Sequence, residues 1–198
     1  MKRYENIEAF VLAGGKSSRM EQDKGMMLLN GKPMISYVLD MMSSLQLSIK
    51  IIAGSDQYLQ LGYEVIKDIV PGKGPMGGLY TAFNYSSKPY IFLISCDTPF
   101  IPAAAAERLL RAAENRQATV AEVLKKINPL FAVYHHSLNQ EVSACIVNDQ
   151  LKMQDFIFSV NHRLVNMDDL LLLNPNLFFN INDKTDFEKC SEWMKQKI

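Results

Sequence analysis

Apolar residues run almost unbroken from Ile7 to Ala13, which predicts a strand covered on both faces. Beyond it, Met34, Tyr37, Val38, Met41, Met42 and Leu45 recur at intervals of three and four. That spacing predicts an amphipathic helix with Pro33 in its first turn. The alternation continues with a strand at Ile49 to Ala53, a short helix at Asp56 to Leu61 and a strand at Glu64 to Lys67. Met76, Leu79, Tyr80 and Phe83 share one helical face, Tyr90 to Ser95 forms another apolar strand, and an Ala-rich helix runs from Pro102 to about Arg116.

The order loosens from there. Strands are expected at Ala118 to Leu124, Phe131 to Tyr134, Arg163 to Asn166 and Phe178 to Asn182, with helices at Ser137 to Asn148 and Lys152 to Val160. A last helix carries Phe187, Cys190, Trp193 and Met194 on its inner face, and Thr185 and Glu188 stand at capping-box spacing. Strands alternating with helices imply a three-layer α/β/α fold, Rossmann-like, around a mainly parallel twisted sheet. In such sheets a ligand sits beyond the carboxyl ends of the strands. Attention therefore falls on the loops after Ala13, Lys67, Ser95 and Asn182.

The 198 residues suit one domain, 1–198. Lys and Arg number 21, as do Asp and Glu, so no net field draws the molecule to nucleic acid or to an anionic membrane. Any anion must be held by a local cluster of charge. Glu5 and Glu8 interrupt the run that a secretory signal needs, and no apolar stretch approaches a membrane span, so a cytoplasmic protein is expected. Cys96, Cys145 and Cys190 are odd in number and lack a CxxC pair, which points away from a disulfide framework or a zinc site. His135 and His136 adjoin each other without a carboxylate or cysteine at ligand spacing, and read as a solvated turn.

In the first loop, "AGGKSSRMEQDKG", Gly14 and Gly15 let the backbone approach a ligand, while Lys16, Arg19 and Lys24 bring positive charge for phosphate oxygens. It is no Walker P-loop, since that pattern needs glycine where Phe10 stands. The second loop, "DIVPGKGPMGG", holds Gly72, Gly74 and Gly77 at GxGxxG spacing, with Asp97 20 residues beyond. Pro75 within the motif, and a glycine loop already present after the first strand, argue against a dinucleotide fingerprint.

The third loop, "SCDTPFIP", sets Asp97 just past an apolar strand, where an ionised carboxylate is costly unless it is paired or binds a cation. Asp68 also ends a strand, and the two tips are expected to lie close together. Two carboxylates beside a phosphate cradle suggest Mg²⁺ held jointly by protein and nucleotide, with Asp97 the stronger candidate. Asn180 and Asn182 are expected on one face of a strand, there either to cap the last helix or to bond a ligand.

Taken together, "VLAGGKSSRMEQDKGMMLLNGKPMI", "DIVPGKGPMGGL", "SCDTPFIP", "NPLFAVY" and "FFNINDKTDFE" resemble, in order, the molybdenum cofactor guanylyltransferases, within the nucleotidyltransferases that begin LAGGxxxRM. The resemblance implies transfer of GMP from GTP to Mo-molybdopterin with release of diphosphate. It also implies Mg²⁺ as cofactor and transient contact with molybdoenzymes or their chaperones. By the same resemblance Leu12, Ala13, Gly14 and Gly15 line the nucleotide, Arg19 and Lys24 hold phosphates, Asp68 contacts the nucleotide and Asp97 ligates the metal. Asn180 and Asn182 fall on the pterin or metal side.

The chain departs from the family pattern at Glu21, where a glycine usually follows Arg-Met. It departs again at Ala53, Gly54 and Ser55, where an asparagine often lies near the base, and at "NDKT" before the last helix. A cytidylyltransferase for the same cofactor, a sugar- or polyol-phosphate transferase and a non-catalytic cofactor escort remain the competing readings.

Overall fold

The computed structural model describes residues 4–14 and 23–195. Nine strands and seven α-helices follow one another among these residues. Seven of the strands form one sheet: β1 (Ile7–Leu12), β4 (Ser48–Ile52), β5 (Glu64–Ile66), β6 (Tyr90–Ser95), β7 (Ala118–Val123), β8 (Lys126–His135) and β9 (His162–Asn166). Their spatial order is β5-β4-β1-β6-β8-β7-β9. Only β8 runs against its neighbours β6 and β7; the other pairings are parallel, as the alternating pattern requires.

Because side chains alternate across a strand, the continuous apolar runs feed two cores. Ala9, Val11, Phe92 and Ile94 face helices α1 (Met34–Ser44) and α3 (Ala103–Ala112). Phe10, Leu12, Ile91 and Leu93 face α2 (Gly74–Tyr85), α4 (Asn139–Val147) and α5 (Met153–Ser159). The result is the three-layer arrangement expected of strands with no polar face. All six residues of β1 are buried, which fits its place in the middle of the sheet. A smaller cluster around Leu29, Met34, Ile181 and Cys190 seats α7 (Lys184–Lys195) beside a hairpin of β2 (Leu28–Leu29) and β3 (Lys32–Pro33).

Local chemistry moved several boundaries. The β2–β3 hairpin turns on Asn30 and Gly31, both with positive φ, the Asn-Gly pair that favours a two-residue turn. Pro33 ends β3 and precedes α1 instead of lying within its first turn. The Ala-rich helix stops at Ala112, four residues short of Arg116, and Asn115 then takes a left-handed conformation. The last helix is capped two residues earlier than its Thr185 and Glu188 suggest. Asp183 accepts the Asp186 amide at 2.9 Å, and Asp186 accepts the Asn182 amide at 3.0 Å.

The largest correction concerns Phe178 to Asn182, which is not a strand. Strands β5 and β9 hold the sheet's edges, and this segment reaches neither. It crosses the carboxyl end of β6 instead, where the Ile181 amide donates to the Asp97 carbonyl at 3.0 Å. The four-residue helix α6 (Asp168–Leu171) was likewise not expected from periodicity, being too short to show any.

Candidate functional site

The chain leaves β1 through α1 toward β4 in one direction along the sheet, and leaves β6 through α3 toward β7 in the opposite direction, with both helices on the same face. Strands β1 and β6 pair directly, Leu12 against Ser95, so the connections diverge between them. That is the crevice where open α/β sheets bind ligands. Ala13 and Gly14 continue from β1 beside Cys96 and Asp97, and the Cys96 amide donates to the Leu12 carbonyl at 3.1 Å. The Ala13 amide is taken by Ile52 at 2.9 Å, whereas Gly14 is exposed. Gly15 and Arg19, expected in the phosphate loop, lie outside the described residues, as do Lys16 and Glu21.

The far end of that loop is described. Lys24 opens a single 3-10 turn, Lys24–Met26, and its ammonium donates to the Ile181 carbonyl at 3.4 Å. Ile181 thus bridges Asp97, through its amide, and Lys24, through its carbonyl. Its side chain is wholly buried against Leu29, Met34 and Cys190. A segment that the sequence reads as a strand serves instead as a strap across the site.

Asp97 is the least satisfied group in this region. Its Oδ1 is buried with no hydrogen-bond partner among the described residues. Burial raises its carboxyl above the ordinary value, while the Ser95 side chain and the charge of Lys24 oppose the shift. A buried carboxylate oxygen with no donor suits a hard cation, which takes oxygen ligands from carboxylates, phosphates and water. Among the described residues no group of three His, Cys, Asp or Glu could hold a metal ion, so any ion here would draw most of its ligands from substrate and solvent.

Asp68 behaves differently. Its Oδ1 accepts the Thr81 hydroxyl at 2.8 Å and the Val70 amide at 3.1 Å, fixing the turn that leads into α2. The two strand tips are not close, because β5 stands three strands from β6, about 14 Å at ordinary sheet spacing. Asp68 and Asp97 are therefore not a carboxylate pair built from adjacent strand ends. The glycines between them have packing duties. Gly72 and Gly74 take positive φ, a Cβ on Gly77 would come within 3.1 Å of the Val70 carbonyl, and one on Gly78 within 2.7 Å of Leu12 Cδ2. Gly78 thus allows α2 to lie directly on the end of β1.

A cleft of about 680 Å³ opens from Asp97 toward the β7–β8 hairpin. Asp97, Asn180 and Phe178 line its near side, and Lys126, Asn128 and Lys152 are among the residues farther along. Leu124 and Lys125, both left-handed, form the two-residue turn of that hairpin. The two asparagines part company: Asn180 lines the cleft, while Asn182 bonds the Asn180 carbonyl through its side chain at the start of α7. Since the segment is not a strand, residues two apart do not share a face. Neither lysine of the cleft was singled out by sequence, since only the folded hairpin and the N-terminus of α5 bring them opposite Asp97.

An open, mostly parallel sheet with a glycine loop, a lysine and an unsatisfied aspartate at its switch point defines a nucleotide-handling α/β protein. Residues 9–163 match the model of the MobA-like NTP transferase domain, and the chain belongs to that family. It is 34% identical over 183 residues to a probable molybdenum cofactor guanylyltransferase of Flavobacterium johnsoniae, covering 90% of this chain and 96% of the relative. It is 31% identical over 196 residues to the molybdenum cofactor guanylyltransferase of Yersinia pestis, with 97% of each covered. Among solved structures, molybdopterin-guanine dinucleotide biosynthesis protein A of Archaeoglobus fulgidus superposes with a TM-score of 0.81 at 22% identity, covering 96% of this chain and 99% of that one, which shows the shared fold.

Proposed function

We propose that this single domain transfers GMP from GTP to the terminal phosphate of Mo-molybdopterin, releasing diphosphate. The observation that carries the reading is the Oδ1 of Asp97, buried without a donor among the described residues at the switch point of the sheet, with Lys24 tied to the same strap. Family membership and the names of the relatives supply the chemistry that this geometry would serve.

On this reading Leu12, Ala13 and Gly14, with Gly15, pass their backbone along the nucleotide, and Lys24 and Arg19 neutralise phosphate oxygens. Asp68 folds the adjoining turn with Oδ1 and offers Oδ2 to the nucleotide. Asp97 would hold Mg²⁺, which when bound offsets charge on the phosphates. A terminal oxygen of the pterin phosphate bonds to the α-phosphorus as the bond from α-phosphorus to the bridging oxygen breaks, and diphosphate carries that oxygen away. The protein needs no covalent nucleophile, so its part is positioning and charge stabilisation. The cleft beyond Asp97 suits the second substrate, with Asn180 as a neutral hydrogen-bonding group and Lys126 and Lys152 as cations facing an anionic ligand.

Among the described residues no helix is long and apolar enough to cross a membrane. A cytoplasmic enzyme that passes its product to molybdoenzymes or their chaperones by transient contact completes the proposal. The test is turnover with Mg²⁺ and Mo-molybdopterin, offering GTP and CTP separately. GTP-dependent diphosphate release is the expected result. Selective use of CTP would change the product, and binding of nucleotide with no transfer would make the protein an escort.

A further inference from the structure

Tyr58 lies in the 3-10 segment Asp56–Leu61 between β4 and β5 and is wholly buried, so it can touch no ligand. Two independent contacts lead from it to the residues on either side of Lys24. Its hydroxyl donates to Asp23 Oδ1. Its ring lies against Gly25, where an added Cβ would come within 3.0 Å of Cε1 and 3.2 Å of Cζ. Gly25 is itself buried, so this position has no room for a side chain.

From this arrangement we infer that Tyr58 is the positioning residue for Lys24, holding Asp23 and Gly25 so that the ammonium between them is presented to the nucleotide phosphates. The inference rests on the phosphate role proposed for Lys24. The hydroxyl is well suited to the task. Burial, then the neighbouring Cys96 and Asp23, hold its phenol above the ordinary value, so it keeps its proton and acts as a steady donor. Asp23, engaged by that donor, is held as the hydroxyl's acceptor. A lysine on a flexible four-carbon stem loses rotamer entropy whenever it is fixed on a ligand, and anchoring its backbone on both sides lowers what remains to be ordered.

The position also explains a feature of the strap. The Lys24 ammonium meets the Ile181 carbonyl at 3.4 Å, a long contact that a phosphate oxygen can readily replace. The main chain at Lys24 is therefore fixed while its head remains exchangeable. Such a division of labour is what a ligand-binding lysine needs, and it separates the buried tyrosine from residues that merely fill the core.

The experiment is a double-mutant cycle on the whole protein, using titration calorimetry with Mg·GTP and turnover with Mo-molybdopterin. Tyr58→Phe keeps the ring and removes the donor. It should lower Mg·GTP affinity about tenfold, the worth of one hydrogen bond to a charged group, and lower turnover with it. In a Lys24→Ala background the same change should have almost no further effect on affinity, because the group it positions is gone. Equal fold losses in both backgrounds would make Tyr58 a general structural residue, and unchanged affinity in Tyr58→Phe alone would remove it from the site; either overturns the inference. Should Tyr58→Phe fail to fold, Asp23→Ala removes the acceptor and takes its place in the cycle. A wild type that binds CTP instead of GTP sinks guanylyl transfer yet lets the cycle be read with CTP, while one that binds no nucleoside triphosphate overturns both.

Discussion

Two aspartates follow apolar strands on the same end of one sheet, and the fold treats them oppositely. Asp68 spends its Oδ1 on the Thr81 hydroxyl and the Val70 amide and so builds a turn. Asp97 buries its Oδ1 with no donor among the described residues. A buried acceptor left unpaired costs free energy comparable to a lost hydrogen bond or more, a cost that a bound cation would relieve. The difference lies in position. Asp97 follows the central strand β6, at the divergence of the chain, whereas Asp68 follows an edge strand and is folded back onto the helix that succeeds it.

The contrast is tested most severely at Asp97. Asp97→Asn should lower kcat by about 10²–10³-fold, the scale of one lost electrostatic group at a reacting centre, while the fold survives. Turnover near the wild-type value in that variant would erase the distinction between the two carboxylates. Lys24→Ala should follow, weakening Mg·GTP binding and turnover together by roughly tenfold or more, since its charge-assisted contacts serve ground and transition states alike. A drop in turnover with affinity intact would confine Lys24 to the transition state.

Asp68→Ala should act chiefly on stability. It strips the Thr81 hydroxyl and the Val70 amide of their acceptor at a cost of about 1–3 kcal/mol, or roughly 2–12 °C in the thermal midpoint for a chain of this length. Asp68→Asn keeps an oxygen acceptor and should lose less. If Asp68→Asn instead abolished turnover with its midpoint unmoved, Asp68 would be a second site carboxylate. Gly78→Ala tests the packing between the two loops. Its methyl would press on Leu12, and moving that flexible side chain should cost about 1 kcal/mol, visible as a lower midpoint.

The smallest effect concerns pH. The folded-state pKa of Asp97 is raised, chiefly by burial, so the native chain binds its proton more tightly than the unfolded chain does. Without metal, stability should therefore fall as pH climbs from the ordinary carboxylate value through the raised one, and remain lower above it. Asp97→Asn, having no charge to bury, should lack this component and melt higher near neutrality. Thermal midpoints of the two proteins across pH, with chelator present, give the comparison; parallel curves would mean that Asp97 pays no desolvation penalty.

Much of this molecule is legible in its sequence because the signals are local. The nearly continuous apolar runs at Ile7 to Ala13 and Tyr90 to Ser95 read as strands covered on both faces, and the three-four spacing from Met34 to Leu45 reads as a helix against a core. The glycine loop and "SCDTP" mark the carboxyl ends of the central strands, and so the candidate site. Even the overlooked β2–β3 hairpin carried its signal in Asn30 and Gly31.

What the sequence could not express are properties of pairs of distant residues. Whether Asp68 or Asp97 finds a donor depends on what α2 and the strap bring to each, and Thr81 lies 13 residues from the one while Ile181 lies far along the chain from the other. The segment 178–182 alternates like a strand, but a strand needs a free edge, and the sheet has none near it. Tyr58 reads as one more buried aromatic until the fold sets it between Asp23 and Gly25. Periodicity settles which face of an element is covered; only the closed tertiary structure decides which polar atoms are left with nothing to bond, because that is fixed by neighbours the local pattern does not contain.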